Sequence, residues 1–249
     1  MSFRHDDRRI LVTGAANGLG LGIARTLAAA GARLVLADVD PRVLERAQED
    51  EFVGGATALV RDLAEPDAAQ WLIEESTKAV GALDGLVNCA AWSFHKPALD
   101  TTLEEFDRVV AVNQRAPYFL ACHFMAQLRA ADADPCIVNI ASVNALVGNP
   151  NLIAYAGTKG AMVAMTRAMA VEFAPRIRVV AISPGSVRTH VTNQLIESGQ
   201  IDPESLIDKT LVKRFVAVEE IGELVSFLFS AARSITGANW IFDGGYTAR

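Results

Sequence analysis

Two residues four apart pose the first chemical question: Tyr155-Ala156-Gly157-Thr158-Lys159 reads YxxxK. On a helix, positions i and i+4 share a face, so phenol and ammonium point the same way. A free phenol titrates near 10 and is a poor base at neutral pH. An ammonium about 4–5 Å away stabilises a phenolate by roughly 3–4 kcal/mol at an effective dielectric of ~20, or two to three pKa units. A general base working near neutral pH needs that tuning. The spacing is common and often structural, so its neighbours decide. Ser142 closes the run Ile137-Val138-Asn139-Ile140-Ala141, where its hydroxyl can hold a substrate oxygen against Tyr155. Asn113, inside a helical stretch, is the fourth candidate.

A second pattern lies near the start of the chain. Thr13-Gly14-Ala15-Ala16-Asn17-Gly18-Leu19-Gly20 follows an apolar run and opens a helix. Glycines there allow a sharp turn and a close approach to a pyrophosphate, while the helix N-terminus supplies N–H groups and a positive dipole. The spacing is GxxxGxG, and no Gly-Lys-Ser/Thr follows to make a nucleotide-triphosphate loop. Asp38 ends the next apolar run, 20 residues after Gly18. Its carboxylate can accept from ribose hydroxyls and repels a 2′-phosphate, by up to ~4 kcal/mol at about 4 Å. Asn17 and Val39 bring no cation, and Arg42 reads as a solvated helix residue. The cofactor expected is NAD.

These residues need a scaffold. Near-continuous apolar runs, the signature of strands buried on both faces, occur at Ile10–Val12, Arg33–Ala37, Thr57–Val60, Gly85–Asn88, Cys136–Ile140, Arg178–Ile182 and Trp240–Phe242. Helical segments alternate with them near 19–30, 41–50, 66–80, 102–130, 152–174 and 218–231. The alternation predicts an α/β fold: one Rossmann-type, doubly wound parallel sheet of about seven strands, helices on both faces, one domain over 1–249. Ligands bind such sheets beyond the carboxyl ends of the strands, where Gly14, Asp38 and Ser142 fall.

Composition narrows the class. The chain has 249 residues, 51% hydrophobic, enough for a large core and too apolar for disorder. A net charge of −6 argues against a general nucleic-acid binder. The charged start and the lack of a long apolar run exclude a signal peptide and a membrane span, so a cytoplasmic protein is expected. Cys89, Cys122 and Cys136 are widely spaced and read as reduced core residues. The histidines show no metal-ligand spacing, and no metal is expected.

Taken in order, these marks resemble the short-chain dehydrogenase/reductase family over essentially the whole chain. They are Thr13–Gly20, Asp38, Asp62-Leu63, Asn88-Cys89-Ala90-Ala91, Asn113, Ser142, Tyr155 with Lys159, Pro184-Gly185 with Thr189, and Ile235-Thr236-Gly237 with Asp243-Gly244-Gly245. One departs: the family usually has Asn-Asn-Ala-Gly where this chain has Asn88-Cys89-Ala90-Ala91. The resemblance implies roles. Tyr155 would be the acid/base. Lys159 would lower its pKa and hold the nicotinamide ribose. Ser142 would orient the substrate oxygen, and Asn113 would hold a water relaying protons to Lys159. Gly14, Asn17, Gly18, Leu19, Gly20 and Asp38 would bind the dinucleotide. Asp62 and Leu63 would meet the adenine, and Asn88 and Ala90 the adenosine-side ribose. Pro184, Gly185, Val187 and Thr189 would meet the carboxamide and phosphates.

The substrate side is less legible. Residues 186–213 carry no clear core pattern and, by the resemblance, form a substrate lid. The candidate pocket residues Trp92, His95, Asn144, Asn149, Ser186 and His190, with Ser142 and Tyr155, are mostly uncharged hydrogen-bonding groups. They suit a polyol, sugar or small hydroxy compound. The segment Tyr155–Phe173 is apolar nearly all round, so one face wants a partner; a homo-oligomer is expected, and the resemblance suggests a tetramer. The activity expected is hydride transfer between a secondary alcohol and NAD. The alternatives are a 3-oxoacyl thioester reductase and a dinucleotide-binding regulator without turnover. A pure binder has no use for the proton-transfer set, and no GxSxG elbow supports a hydrolase.

Overall fold

The computed structural model describes residues 3–6, 8–128, 134–199 and 202–248. Seven parallel strands form one sheet: β1 Arg9–Thr13, β2 Arg33–Asp38, β3 Thr57–Val60, β4 Gly85–Asn88, β5 Cys136–Ile140, β6 Arg178–Pro184 and β7 Asn239–Phe242. Their order is β3-β2-β1-β4-β5-β6-β7. The direction of winding reverses between β1 and β4, and there the strand ends leave a crevice.

Alternation along the strands builds two cores. Ile10 and Val12 of β1 and Val138 and Ile140 of β5 face one side. Helices α1 (Gly18–Ala29) and α9 (Val218–Ser230) cover them with Ile23, Leu27, Ile221, Val225 and Leu228. Leu11, Val35, Leu86, Ile137 and Val179 face the other side, under Leu72, Leu120, Phe124 and Met169 of α3 (Ala68–Val80), α5 (Ala116–Gln127) and α6 (Ile153–Phe173). Burial on both faces is why the strands read as continuous apolar runs. Helix α2 (Arg42–Glu49) flanks β2 and β3.

Two sequence expectations change. The stretch 102–130 is not one α-helix. Helix α4 (Leu103–Val110), opened by a capping box between Thr102 and Glu105, gives way to a π-turn over Ala111–Arg115 before α5 begins. Pro117 lies just beyond: it has no N–H to offer the carbonyl of Asn113 four residues back, so the α-helical ladder cannot continue through this point. Within 186–213 lie two short helices, α7 (His190–Glu197), capped by Thr189, and α8 (Pro203–Asp208), capped by Asp202.

Candidate active site

A cleft of about 480 Å³ runs along the carboxyl ends of the strands at the reversal point. It begins at the glycine turn. Gly14 adopts φ +70, and a Cβ there would lie 2.8 Å from Ala90 Cα. The turn is thus pressed against the backbone after β4, which a side chain would forbid. Thr13 fastens the same junction: its hydroxyl donates to Val87 O and accepts from the N–H groups of Cys89 and Ala90. Asp38, at the end of β2, accepts from Ala16 N (2.9 Å) and Asp40 N (3.0 Å) while still lining the cleft. Arg42 pairs with Asp40 instead of Asp38, and Arg46 donates to Ala16 O. Asp62 caps the turn at Ala64 and pairs with Arg108 at 3.0 Å; the Arg108 guanidinium stacks 5.7 Å from the Trp92 ring.

At the other end Ser142, Tyr155 and Lys159 share the cleft wall. Ser142 leaves β5 two residues after Ile140 and is buried. Tyr155 and Lys159 lie on one face of α6, with Nζ 5.6 Å from the centre of the phenol ring. Lys159 is 1% exposed, and its Nζ donates to Ile140 O at 2.8 Å. Burial pushes it down to about 8. Burial also pushes the Tyr155 phenol up to about 12, opposed by its hydrogen bond with Ser142. The expected lowering of the phenol is therefore reversed in the protein alone. Desolvation of a phenolate outweighs the hydrogen bond from Ser142.

The dinucleotide candidates Gly14, Asn17, Gly18, Leu19, Gly20, Asp38, Asp62, Leu63, Ala90, Pro184, Gly185, Val187 and Thr189 all line this cleft. Asn88 does not. Its amide donates to Asn139 Oδ1 at 2.8 Å, and Asn139 donates on to Thr166, so Asn88 stitches β4 to β5 beneath the crevice. The Asn113 side chain is engaged by the protein at both ends. It accepts from Trp92 N and donates to Trp92 O and Thr158 Oγ1, which leaves its amide bracing the β4 loop against α6. On the substrate side Trp92 lines the cleft, whereas Asn144 and Asn149 stand behind Ser142 and bond to each other at 2.7 Å. His95 is exposed, and Ser186 accepts the Val216 N–H at its backbone carbonyl. The side chain of His190 lies outside the described residues. Thr13 and Cys89, which stand inside two of the sequence motifs, belong to the cleft wall, as do Arg108 and Thr192, which no motif marked. The Thr189-x-x-Thr192 spacing of a helix cap was the one signal for Thr192.

The residues fit a nicotinamide dinucleotide: a glycine cradle at the N-terminus of α1, a ribose-facing carboxylate, and an acid/base set at the far end. A family model described as enoyl-(acyl carrier protein) reductase matches residues 14–247. The cyclopentanol dehydrogenase of Comamonas sp. (strain NCIMB 9872) is 34% identical, covering 98% of this chain and 99% of that one. The chain belongs to the short-chain dehydrogenase/reductase family. Galactitol 2-dehydrogenase (L-tagatose-forming) of Cereibacter sphaeroides is 36% identical over 98% of this dehydrogenase/reductase and 97% of its own length. The solved structure of 4-hydroxyisoleucine dehydrogenase complexed with NADH superposes with a TM-score of 0.88, at 28% identity, over 97% of this chain and 99% of that one. As a family member, this dehydrogenase/reductase is an oxidoreductase acting on CH–OH groups with NAD or NADP. Among the described residues no cluster of His, Cys, Asp and Glu could hold a metal, and no helix is long and apolar enough to cross a membrane.

Proposed function

We propose that this chain is a cytoplasmic, NAD-preferring dehydrogenase of a polyol, sugar or other small secondary alcohol, acting as a homotetramer. The observation that carries the reading is the pairing of two ends of one cleft. Asp38 stands at the adenosine end with its neighbouring cations already partnered, and Ser142, Tyr155 and Lys159 stand together at the other. Bound there, the cofactor supplies the hydride acceptor and, in its oxidised form, a positive charge. The chain supplies the rest. Tyr155 takes the hydroxyl proton from the substrate, Ser142 holds the oxygen, and Lys159 holds the nicotinamide ribose. Residues 186–213, with α7 and α8, act as the lid over the substrate. Small hydroxy substrates are favoured because the wall near Tyr155 offers Trp92 and Ser142, and because relatives named for cyclopentanol and galactitol align over nearly the whole chain.

The test is NADH formation by the purified protein with NAD and NADP in parallel, across polyols, aldoses, hydroxy acids and secondary alcohols. Turnover with NAD on one group is expected, and Tyr155→Phe should abolish it while leaving NADH affinity within about threefold. Full turnover by Tyr155→Phe would refute the mechanism. Silence on every alcohol, with reduction of a 3-oxoacyl thioester, would transfer the assignment to acyl thioester reduction.

A further inference from the structure

Tyr246, from the far end of the sequence, meets Asn149, Asn144 and Ser142 end to end. Tyr246 Oη donates to Asn149 Oδ1 at 3.2 Å, Asn149 Nδ2 to Asn144 Oδ1 at 2.7 Å, and Asn144 Nδ2 to Ser142 Oγ at 3.3 Å. The backbone N–H of Asn144 reaches the same serine oxygen at 3.1 Å. We propose that Tyr246, Asn149 and Asn144 are positioning residues whose hydrogen-bond chain fixes the Ser142 hydroxyl as a donor toward the reacting oxygen. This rests on the reading of Ser142 and Tyr155 given above.

Valence sets the direction of the serine hydrogen. A serine hydroxyl has two lone pairs and one hydrogen. Asn144 occupies both lone pairs, so only the hydrogen is left, and it points toward the cleft that Ser142 and Tyr155 line together. Every link donates in the same direction, from Tyr246 to Ser142, so each bond polarises the next. The far end is anchored. Asp243 is buried and accepts from Gly245 N, Thr247 N and Thr247 Oγ1, each at 2.7 Å, which clamps the turn Tyr246–Ala248 in place. The end of the chain thereby sets the orientation of a hydroxyl at the centre of the sheet. A serine so fixed favours a substrate oxygen that accepts: a carbonyl, an alkoxide, or an alcohol oxygen whose own hydrogen goes to Tyr155.

Asn149→Asp tests this at constant size. A carboxylate only accepts, so the Asn144 amide must turn and present Nδ2 to it. Asn144 Oδ1 then faces Ser142 and draws the serine hydrogen away from Tyr155. The chain has three tyrosines, so a ζ-13C tyrosine label gives three resonances, assigned with single Tyr→Phe variants. In Asn149→Asp the Tyr155 resonance should move, the Tyr118 resonance should not, and the movement should vanish in a Ser142→Ala background. An unmoved Tyr155 resonance, or one that moves equally without Ser142, overturns the proposal. With a turned-over alcohol in hand, kcat should fall about tenfold in Asn149→Asp and about threefold in Tyr246→Phe, with KM for the dinucleotide within twofold. The resonance needs no substrate. Its shift without turnover on any alcohol leaves the chain standing and counts against the proposed function alone.

Discussion

Tyr155 is a base that the folded chain by itself does not make basic. Burial pushes the phenol up to about 12, and Lys159, brought down to about 8, is a weakened cation. A phenol accepts a proton only when ionised, and ionisation falls as pKa rises above the working pH. NADH formation from an alcohol should therefore increase with pH through the alkaline range. The reverse reduction, which needs the protonated phenol, should favour lower pH. Initial rates in both directions from pH 6 to 10 check the sign. Asp38 carries the second expectation at this scale. Its carboxylate faces the cleft, and the nearby Arg42 is bound to Asp40 instead. Repulsion of a 2′-phosphate by even about 2 kcal/mol, half the Coulomb figure at an effective dielectric of ~20, is more than tenfold in affinity. Asp38→Ala should narrow the preference for NAD over NADP by about tenfold, read as the ratio of kcat/KM values. Asn88 and Asn113 show what residue type leaves open. Both amides are buried; Asn113 is bonded to Trp92 and Thr158 at both ends, whereas Asn88 donates to Asn139 and keeps a buried Oδ1 without a partner, a difference fixed by strand register and helix contact.

The glycine turn, the π-turn and the C-terminal turn are the elements that place the chemistry. Gly14 shows the tightest constraint. Alanine there would meet Ala90 backbone atoms at 2.8 and 2.9 Å and sit at φ +70, which costs about 1–2 kcal/mol by itself. Gly14→Ala should lower the thermal midpoint and weaken NADH binding at least tenfold, measurable by fluorescence titration. The turn was legible because its constraint is local: glycines, a preceding strand and a following helix are adjacent in sequence. The π-turn was only half legible. Pro117 signals a break in the helix, yet the choice to resume it after one wider turn depends on Asn113 reaching Trp92 and Thr158 across a tertiary gap. The role of Tyr246 was not legible at all, since its partner Asn149 lies far away in sequence.

At the scale of the whole molecule, apolar side chains remain outside the two cores. Val171 of α6 is 82% exposed, and Tyr118 and Phe119 of α5 are nearly half exposed on the same side of the sheet. Isolated exposed residues are normal; exposed apolar residues on two helices on one side of the sheet are where the proposed assembly would form. A second copy of the chain is the expected occupant. Sedimentation at micromolar concentration should show a tetramer, and Val171→Asp should yield smaller species by placing a charge where apolar surface must be buried. A wild-type monomer would overturn the assembly proposed here.

The sequence by itself determined the order of strands and helices, the dinucleotide turn and the YxxxK helix face. Each follows from a continuous apolar run, from helical spacing, or from glycines within eight residues, and such signals act over one element. Tertiary structure alone decided which polar side chains face the cleft and which face one another. Asn88 turned inward to Asn139, Asn144 and Asn149 formed a file behind Ser142, and the phenol of Tyr155 rose in pKa instead of falling. The reason is common to all three. Burial and hydrogen-bond partnership are properties of the space between elements, and a residue's type says only what it can donate or accept, not who will be there to meet it.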